Sequence, residues 1–590
     1  MRMLTRLLVA GVLLSGLVWA QEEDDSNDAG EANHGVARVS LMNGDVSVQR
    51  GDSGDTVAAV VNAPLVAGDH LLTGPAARAE IQFDQGNFVR LGTDTEVRLA
   101  SLDNNQFQVQ LGKGTVTLAV IRDSAGQVEI DTPNMAFRPS QRGAYRISVT
   151  DDGQSEVTVR AGQGDTYTPQ GTQPVQAGQT MMVRGQVSDP EFQVVQAIPM
   201  DEWDRWNQQR DQRLLSVRSY QYMSPDIPGG ADLDTNGQWE YATPYGWVWS
   251  PNGVGPDWAP YRDGNWTWLD FYGWTWVGYE PWGWAPYHYG RWFHRDGFGW
   301  CWYPGPLYNH YYWRPGLVAF FGFGHGGGVG FGSIGWVPLG PHEQYRRWYG
   351  REGRDIHATN VTNVRNTYIN ARVGNGISGV GAGAFGQGGR PGALRLNGQE
   401  RLSEMRGPVP VAPTSASLRM TGRSARVLPG TSGRTQFYSP RPGAANQGGS
   451  DLAPAARGWR QVPQTGGSWR QYGQAPRTAE PARAPAANGY RQQPNWRSFG
   501  QAPQQSSRPQ YAQPRTYQGS PAPRYSAPRS EGVRINPPIV RERSQPSGSA
   551  GRSGGGGGGR SGGGGGGRSS GGGRSGGQSS GGGGGHSRGR

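Results

Sequence analysis

GQW at 237–239, YGWVW at 245–249, GNW at 264–266, YGWTW at 272–276, GRW at 290–292 and FGWCW at 298–302 recur in a fixed order. WAPY appears twice in the same register, at 258–261 and 284–287, so successive units are offset by about 26 to 27 residues. Self-similarity at a fixed period marks a repeated supersecondary unit. Residues i and i+2 of a strand share a face, so Trp247 with Trp249, Trp274 with Trp276 and Trp300 with Trp302 each form a two-ring patch. Arg262-Asp263-Gly264 and Arg295-Asp296-Gly297 read as hairpin turns, and the WAPY prolines as keeping the links extended. A tryptophan buries on the order of 200 Å², worth about 5 kcal/mol at ~25 cal/mol per Å². Rings alone can therefore hold together a segment poor in aliphatic residues. The pattern predicts an aromatic-rich β-repeat module over 224–370, with an insertion loop at 322–335 where GFGHGGGVGFG lies.

Outward from this block, residues 35–187 alternate apolar and polar residues in short runs. VARVSLM, ARAEIQF, TEVRLA, QFQVQLG, GTVTLAV, YRISVT and SEVTVR, separated by glycine and aspartate, are the signature of half-buried strands in an all-β domain. Residues 188–223 form a connector. Asp201 is placed to cap a helix from about 200 to 217, with Trp203, Trp206, Leu214 and Val217 near one face and Arg210 interrupting the stripe. At the front, Arg2 and Arg6 precede an apolar run at 7–19, with Val18 and Ala20 in small-residue positions. That is the layout of a signal peptide over 1–20, followed by an acidic leader at 21–34 that is expected to be disordered. No later run approaches the ~20 apolar residues of a membrane-spanning helix.

The end of the chain differs in kind. Residues 371–590 hold 30 arginines against 6 acidic residues, within a chain whose net charge is only +11. Glycine, proline, glutamine and arginine dominate, and such a composition buries too little apolar surface to offset ordering entropy, so a disordered basic tail is expected there. The picture is an acidic folded body with a guanidinium-rich arm. Export argues against intracellular nucleic acid as the arm's partner, and leaves anionic envelope polymers or the acidic body itself.

Two resemblances follow from these residues. Gly68-Asp69-His70-Leu71-Leu72-Thr73-Gly74, the strand pair ending at Leu91-Gly92, Leu111-Gly112-Lys113-Gly114-Thr115-Val116, Asp131-Thr132-Pro133 and Arg142-Gly143-Ala144-Tyr145-Arg146 resemble the FecR domain. The likeness implies an all-β fold in the periplasm. Members of that family receive a signal there and pass it to an anti-sigma partner through a membrane span; here a cleavable signal replaces the span. PYGWVWSP, DWAPYRDGNW, YGWTWVGYEPWGWAPYHYGRW and GWVPLGPHEQY resemble an uncharacterised tryptophan-rich domain that follows FecR-like domains in exported bacterial proteins.

Most chemistry is excluded by inventory. The single cysteine, Cys301, permits no internal disulfide and no cysteine-based zinc site, and reads as a buried structural thiol. The single lysine, Lys113, lies in no phosphate-binding loop, HExxH is missing, and GxSxG occurs only within the low-complexity glycine-rich sequence beyond residue 550. His288, His294 and His310 have no metal-ligand spacing. Asp257, Asp263, Asp270, Glu280 and Asp296 could supply the carboxylate pair of a glycan or cell-wall hydrolase, with Glu280 the first to test; otherwise they are turn residues and solvated faces. No cofactor, metal or catalytic residue is assigned.

For the rings two readings stay open, a core between repeats or an exposed stacking surface. In the second, Trp247, Trp249, Trp274, Trp276, Trp284, Tyr287, His288, Trp300 and Trp302 stack on sugar faces or aromatic partners, while Arg262 and Arg291 contact anionic groups. The expectation is an exported, non-enzymatic envelope protein, periplasmic or on the outer surface, that binds or scaffolds a glycan, an anionic polymer or a protein. The alternatives are the hydrolase and a FecR-type signal sensor.

Overall fold

The computed structural model describes residues 35–103, 105–324, 331–348, 356–388, 391–394, 401–421, 425–430, 435–440 and 497–498. The expected signal peptide and acidic leader lie outside these residues, as does nearly all of the chain beyond 440. The protein is mainly β, with a short helix after the first domain.

The first domain is two sheets that share one long strand, Gln106–Val120. Its first half pairs with Glu96–Ser101 and, in parallel, with Gln127–Asp131. Its second half pairs antiparallel with Asn87–Leu91 and Gly143–Val149. The strand changes sheets at Gly112-Lys113-Gly114, where Gly114 has φ +91° and an added Cβ would sit 2.4 Å from the Thr95 hydroxyl. Apolar positions of the alternating runs meet between the sheets: Val39, Ile81, Val89, Leu118, Ile147 and Val157 from one, Val48, Leu71, Leu99, Val109, Ile130 and Phe137 from the other.

The connector helix Glu202–Leu215 is capped by Asp201 in a reciprocal capping box with Asp204. It docks through polar groups. Arg210, which breaks the apolar stripe in sequence, reaches Glu80 at 2.7 Å; Arg90 bridges Glu80 at 2.8 Å and Asp211 at 2.7 Å. Arg146 bonds Asp201, and the Trp203 indole N–H donates to Thr117 at 2.9 Å. The helix thereby covers the outer face of one sheet, and Glu80 and Arg90, on the face that alternation reads as solvated, are fully buried. Burial pushes the Glu80 carboxyl up, but Arg90, Arg210 and Ser40 overcome it and hold it at about 2.

The repeat emerges as three hairpins in one register. Gly237–Ala242 pairs with Gly246–Pro251, Gly264–Leu269 with Gly273–Gly278, and Arg291–Arg295 with Gly299–Tyr303. Trp239 faces Trp249, Trp266 faces Trp276 and Trp292 faces Trp302, one pair per unit. The glycine that opens each unit is dictated by this pair. A Cβ on Gly237 would lie 2.2 Å from the Trp249 ring, on Gly264 2.4 Å from Trp276, and on Gly290 2.7 Å from Trp302. Three local expectations are corrected. The second WAPY is a single helical turn, Trp284–His288, because a first-turn proline forfeits no helical hydrogen bond. Arg262 and Asp263 link hairpins and do not form a turn within one. Gly322 and Gly335 belong to a fourth hairpin, Val318–Phe323 with Ser333–Pro338, so that the connecting loop is shorter than the glycine run.

The boundary placed at 370 is too early. Ser378–Gly381 and Arg401–Met405 extend the fourth hairpin's sheet on its two sides. Ser417 and Arg419 accept hydrogen bonds through their carbonyls from Thr267 at 2.8 Å and Asn265 at 3.0 Å. Leu418 and Met420 enter the core of the first domain. Further on, Leu428 N–H donates to Ser47 and Tyr438 N–H to the Thr132 carbonyl. Composition hid this because a few well-placed apolar residues suffice when an existing core receives them.

Candidate functional site

The ring positions divide sharply. Trp249, Trp274, Trp276, Trp284, Tyr287, His288, Trp300 and Trp302 are at most 6% exposed, while Trp247 is 41% exposed. Eight of the nine proposed stacking residues are thus interior, out of reach of a ligand in solution. They form one aromatic cluster: Trp266 lies edge-on to Trp276 at 5.3 Å and to Trp336 at 5.6 Å, and Trp249 edge-on to Trp282 at 5.0 Å. Several indole N–H groups donate to carbonyls, Trp302 to Tyr289 at 2.8 Å and Trp292 to Pro286 at 2.8 Å. His288 is stacked on Trp313 and bonded through Nδ1 to the Arg314 carbonyl; burial pushes it down to about 3, so it stays neutral.

The proposed anion contacts are committed to the chain itself. Arg262 bonds the Asn375 and Asp257 carbonyls and the Ser378 hydroxyl, clamping the C-terminal return onto the repeats. Arg291 bonds the Gly290 and Glu343 carbonyls. Cys301 is buried against the Ser250 hydroxyl at 3.3 Å, and burial raises its thiol. Among the described residues no group of three or more His, Cys, Asp or Glu is placed to hold a metal ion, and no helix is long and apolar enough to cross a membrane.

At the surface the first hairpin carries an exposed aromatic pair that half-buried Tyr222 packs against; Phe271, Phe298, Tyr308 and Tyr312 are exposed elsewhere. Tyr241 and Trp247 face each other across the strands beside the turn, 5.8 Å apart and edge-on, with Tyr241 68% exposed. Tyr222, from the end of the connector, packs 4.5 Å from Trp247 and 5.2 Å from Trp239. The equivalent pair in the second unit is Trp268 with Trp274, and there Phe385 covers Trp274 at 4.9 Å. Trp274 and Trp300 of the second and third units are at most 6% exposed, against 41% for Trp247 of the first. Tyr222 and Tyr241 were not singled out in the sequence. The signal that points to Tyr241 is its position opposite Trp247 in an edge hairpin; Tyr222 lies outside the repeat and carries none.

Glu280 occupies the joint between the domains. One carboxylate oxygen accepts from the Tyr287 hydroxyl at 2.7 Å and the Trp258 indole at 3.2 Å, while the other is sealed from water with no hydrogen-bond partner. Its own carbonyl accepts from Asn62 of the first domain at 2.9 Å. Burial raises the carboxyl from 4.5 to about 7, with nearby Asp263 adding to the rise and the two hydrogen bonds opposing it.

The architecture is that of a two-sheet all-β domain joined by a capped helix to a tryptophan-hairpin module. Residues 69–163 match the FecR protein family, and residues 230–343 match a family of unknown function, DUF6600. The chain thus carries a FecR domain followed by a DUF6600 domain. No curated protein matches it. Two solved structures of a putative anti-sigma factor from Parabacteroides distasonis are similar to part of it, at 15% and 14% identity with a TM-score of 0.19 for each. The match covers 22% of this chain and 59% of each of those chains, and so less than two thirds of their length. A likeness of that extent carries no functional argument.

Proposed function

We propose that this is an exported, non-enzymatic envelope protein that binds or scaffolds through the surface its aromatic core presents. The observation that supports this most directly is the fate of the rings. All but one of the expected stacking residues are spent on a core, and the one that is exposed, Trp247, forms with exposed Tyr241 and half-buried Tyr222 a platform with no acid, base or nucleophile among its three rings. Flat aromatic platforms suit the apolar faces of sugars or an aromatic partner. The basic region beyond residue 440 would add salt-sensitive attraction to anionic envelope polymers.

The test is retention of the full-length protein on insoluble peptidoglycan and on a glycan array, with the Tyr241→Ala, Trp247→Ala pair as control. A loss of about tenfold or more in retention is expected. Retention equal to that of the parent protein rejects the platform.

A second reading, signal sensing of the FecR type, is favoured by the match over 69–163. It predicts a protein partner from an anti-sigma or sigma-factor pathway in a crosslinked pull-down. The hydrolase reading finds less support, because the Glu280 carboxylate is enclosed by Trp258 and Tyr287 and bonded within the core.

A further inference from the structure

Three segments meet in one cleft beside the domain joint. It is lined by Arg38 from the strand Ala37–Asn43, Arg122 just after the long strand, Arg210 of the connector helix, Tyr220, and residues 229–231 of the second domain. The cleft spans about 250 Å³ with its open mouth included, and its walled part admits about one water-sized group. Charge is unevenly spent around it. Arg38 meets Asp232 at 2.7 Å, and Arg210 meets Glu80 at 2.7 Å. Arg122 forms no ion pair among the described residues. Its Nη2 donates to the Leu214 and Leu215 carbonyls at 2.8 and 3.1 Å, and its guanidinium lies 5.4 Å from the centre of the Tyr220 ring. Carbonyls fix the place of this cation without neutralising it. Nε and Nη1 of Arg122, and Nη1 of Arg210, bond nothing among the described residues. A half-buried guanidinium with unspent donors, beside two more and against the apolar walls of Phe88 and Leu214, favours an anion over water.

We propose that this cleft binds a small oxyanion, with one oxygen of a phosphate or carboxylate group entering the walled part and the rest of the group staying at the mouth. Arg122 is its principal contact, and Arg38 and Arg210 raise the local potential. The walls come from the first domain, the connector and the second domain. An occupied cleft therefore ties the three together, and the joint stiffens when the anion is present. The site shares no residue with the aromatic platform, so either can fail without the other.

The probes are inorganic phosphate and acetate, each added to the full-length protein at constant ionic strength, with amide exchange over 214–231 as the readout. That local readout separates the cleft from anions held by the arginines beyond residue 440. At an anion concentration about ten times Kd, exchange there is expected to slow about tenfold, because opening must first empty the site. Whichever probe acts at the lower concentration identifies the head group. Arg122→Met should abolish the effect. So should Ala231→Met, which fills the cleft and leaves every charge in place, so that a folding defect in one variant does not decide the matter. Arg142→Met removes an exposed arginine of the same domain and should behave as the parent. Exchange unchanged by either probe, protection that survives both cleft variants, or protection lost equally in Arg142→Met would each overturn the site.

Discussion

Replacing Glu280 with Gln isolates the energetics of the domain joint. The folded protein lifts this carboxyl from 4.5 to about 7, chiefly because the group is withdrawn from water. The folded state therefore holds a proton that the unfolded chain has released over that interval, and stability falls as pH rises from about 4.5 through 7. At ~1.4 kcal/mol per tenfold change in the proton equilibrium, the loss above pH 7 is about 3 kcal/mol. Glutamine keeps the size and an acceptor for Tyr287 and Trp258 but cannot ionise. The parent and Glu280→Gln proteins should match near pH 4, and the variant should be more stable by about 3 kcal/mol at pH 8. Urea unfolding followed by tryptophan fluorescence at the two pH values measures the difference. A variant that is less stable at pH 8, or a gap that does not change with pH, would show that the carboxylate is satisfied by contacts the geometry does not contain. Loss of hydrolysis of a cell-wall substrate in this variant would instead revive the enzyme reading.

Other outcomes follow from single contacts. Met420→Ala removes a side chain buried in the first domain's core by a segment that lies beyond the second, and should cost about 2–5 kcal/mol of stability in denaturant melts. Gly264→Ala places a methyl 2.4 Å from the Trp276 ring and should destabilise by about 1–3 kcal/mol, whereas alanine at the open Gly255 should not register. Arg90→Met leaves the fully buried Glu80 with only Arg210 as its cation and should cost about 3–5 kcal/mol. Deleting residues 441–590 should flatten the ionic-strength dependence of binding to anionic vesicles; an unchanged slope would remove the electrostatic role of that region.

The strands were legible because alternation reports a face, and the repeat because its motifs recur at a fixed period; the pairing of each GxW with the second tryptophan of the following motif came only from the structure. What covers a face was not legible. Glu80 and Arg90 alternate with apolar neighbours and so read as solvent-facing; only the polar underside of the connector helix, through Asn207 and Arg210, makes that face interior. The second WAPY read as extended because proline is disfavoured in helix interiors, a rule that does not hold in the first turn. For the rings, sequence set core against platform without dividing them. Phe385, which lies beyond the repeat, closes over Trp274 of the second hairpin, while Trp247 of the first, packed by Tyr222, keeps 41% of its surface exposed.

The same return of the chain decides what kind of object binds. Between Thr267 and Met420 the arrangement is two-sided: the carbonyls of Ser417 and Arg419 are bonded to the second tryptophan hairpin, while the side chains of Leu418 and Met420 lie in the FecR-domain core. Arg38 of the first domain meets Asp232 at 2.7 Å, beside the Asn62 contact to Glu280. A load applied at the aromatic platform is therefore opposed by buried contacts reaching the first domain, and not by a linker alone. The excised module 224–349 would lack both the 417–420 insert and its partner surface, leaving Trp266 and Trp274 without Phe385. Binding assays on that fragment would report exposed core rings as ligand sites, which is why the platform has to be tested on the full chain.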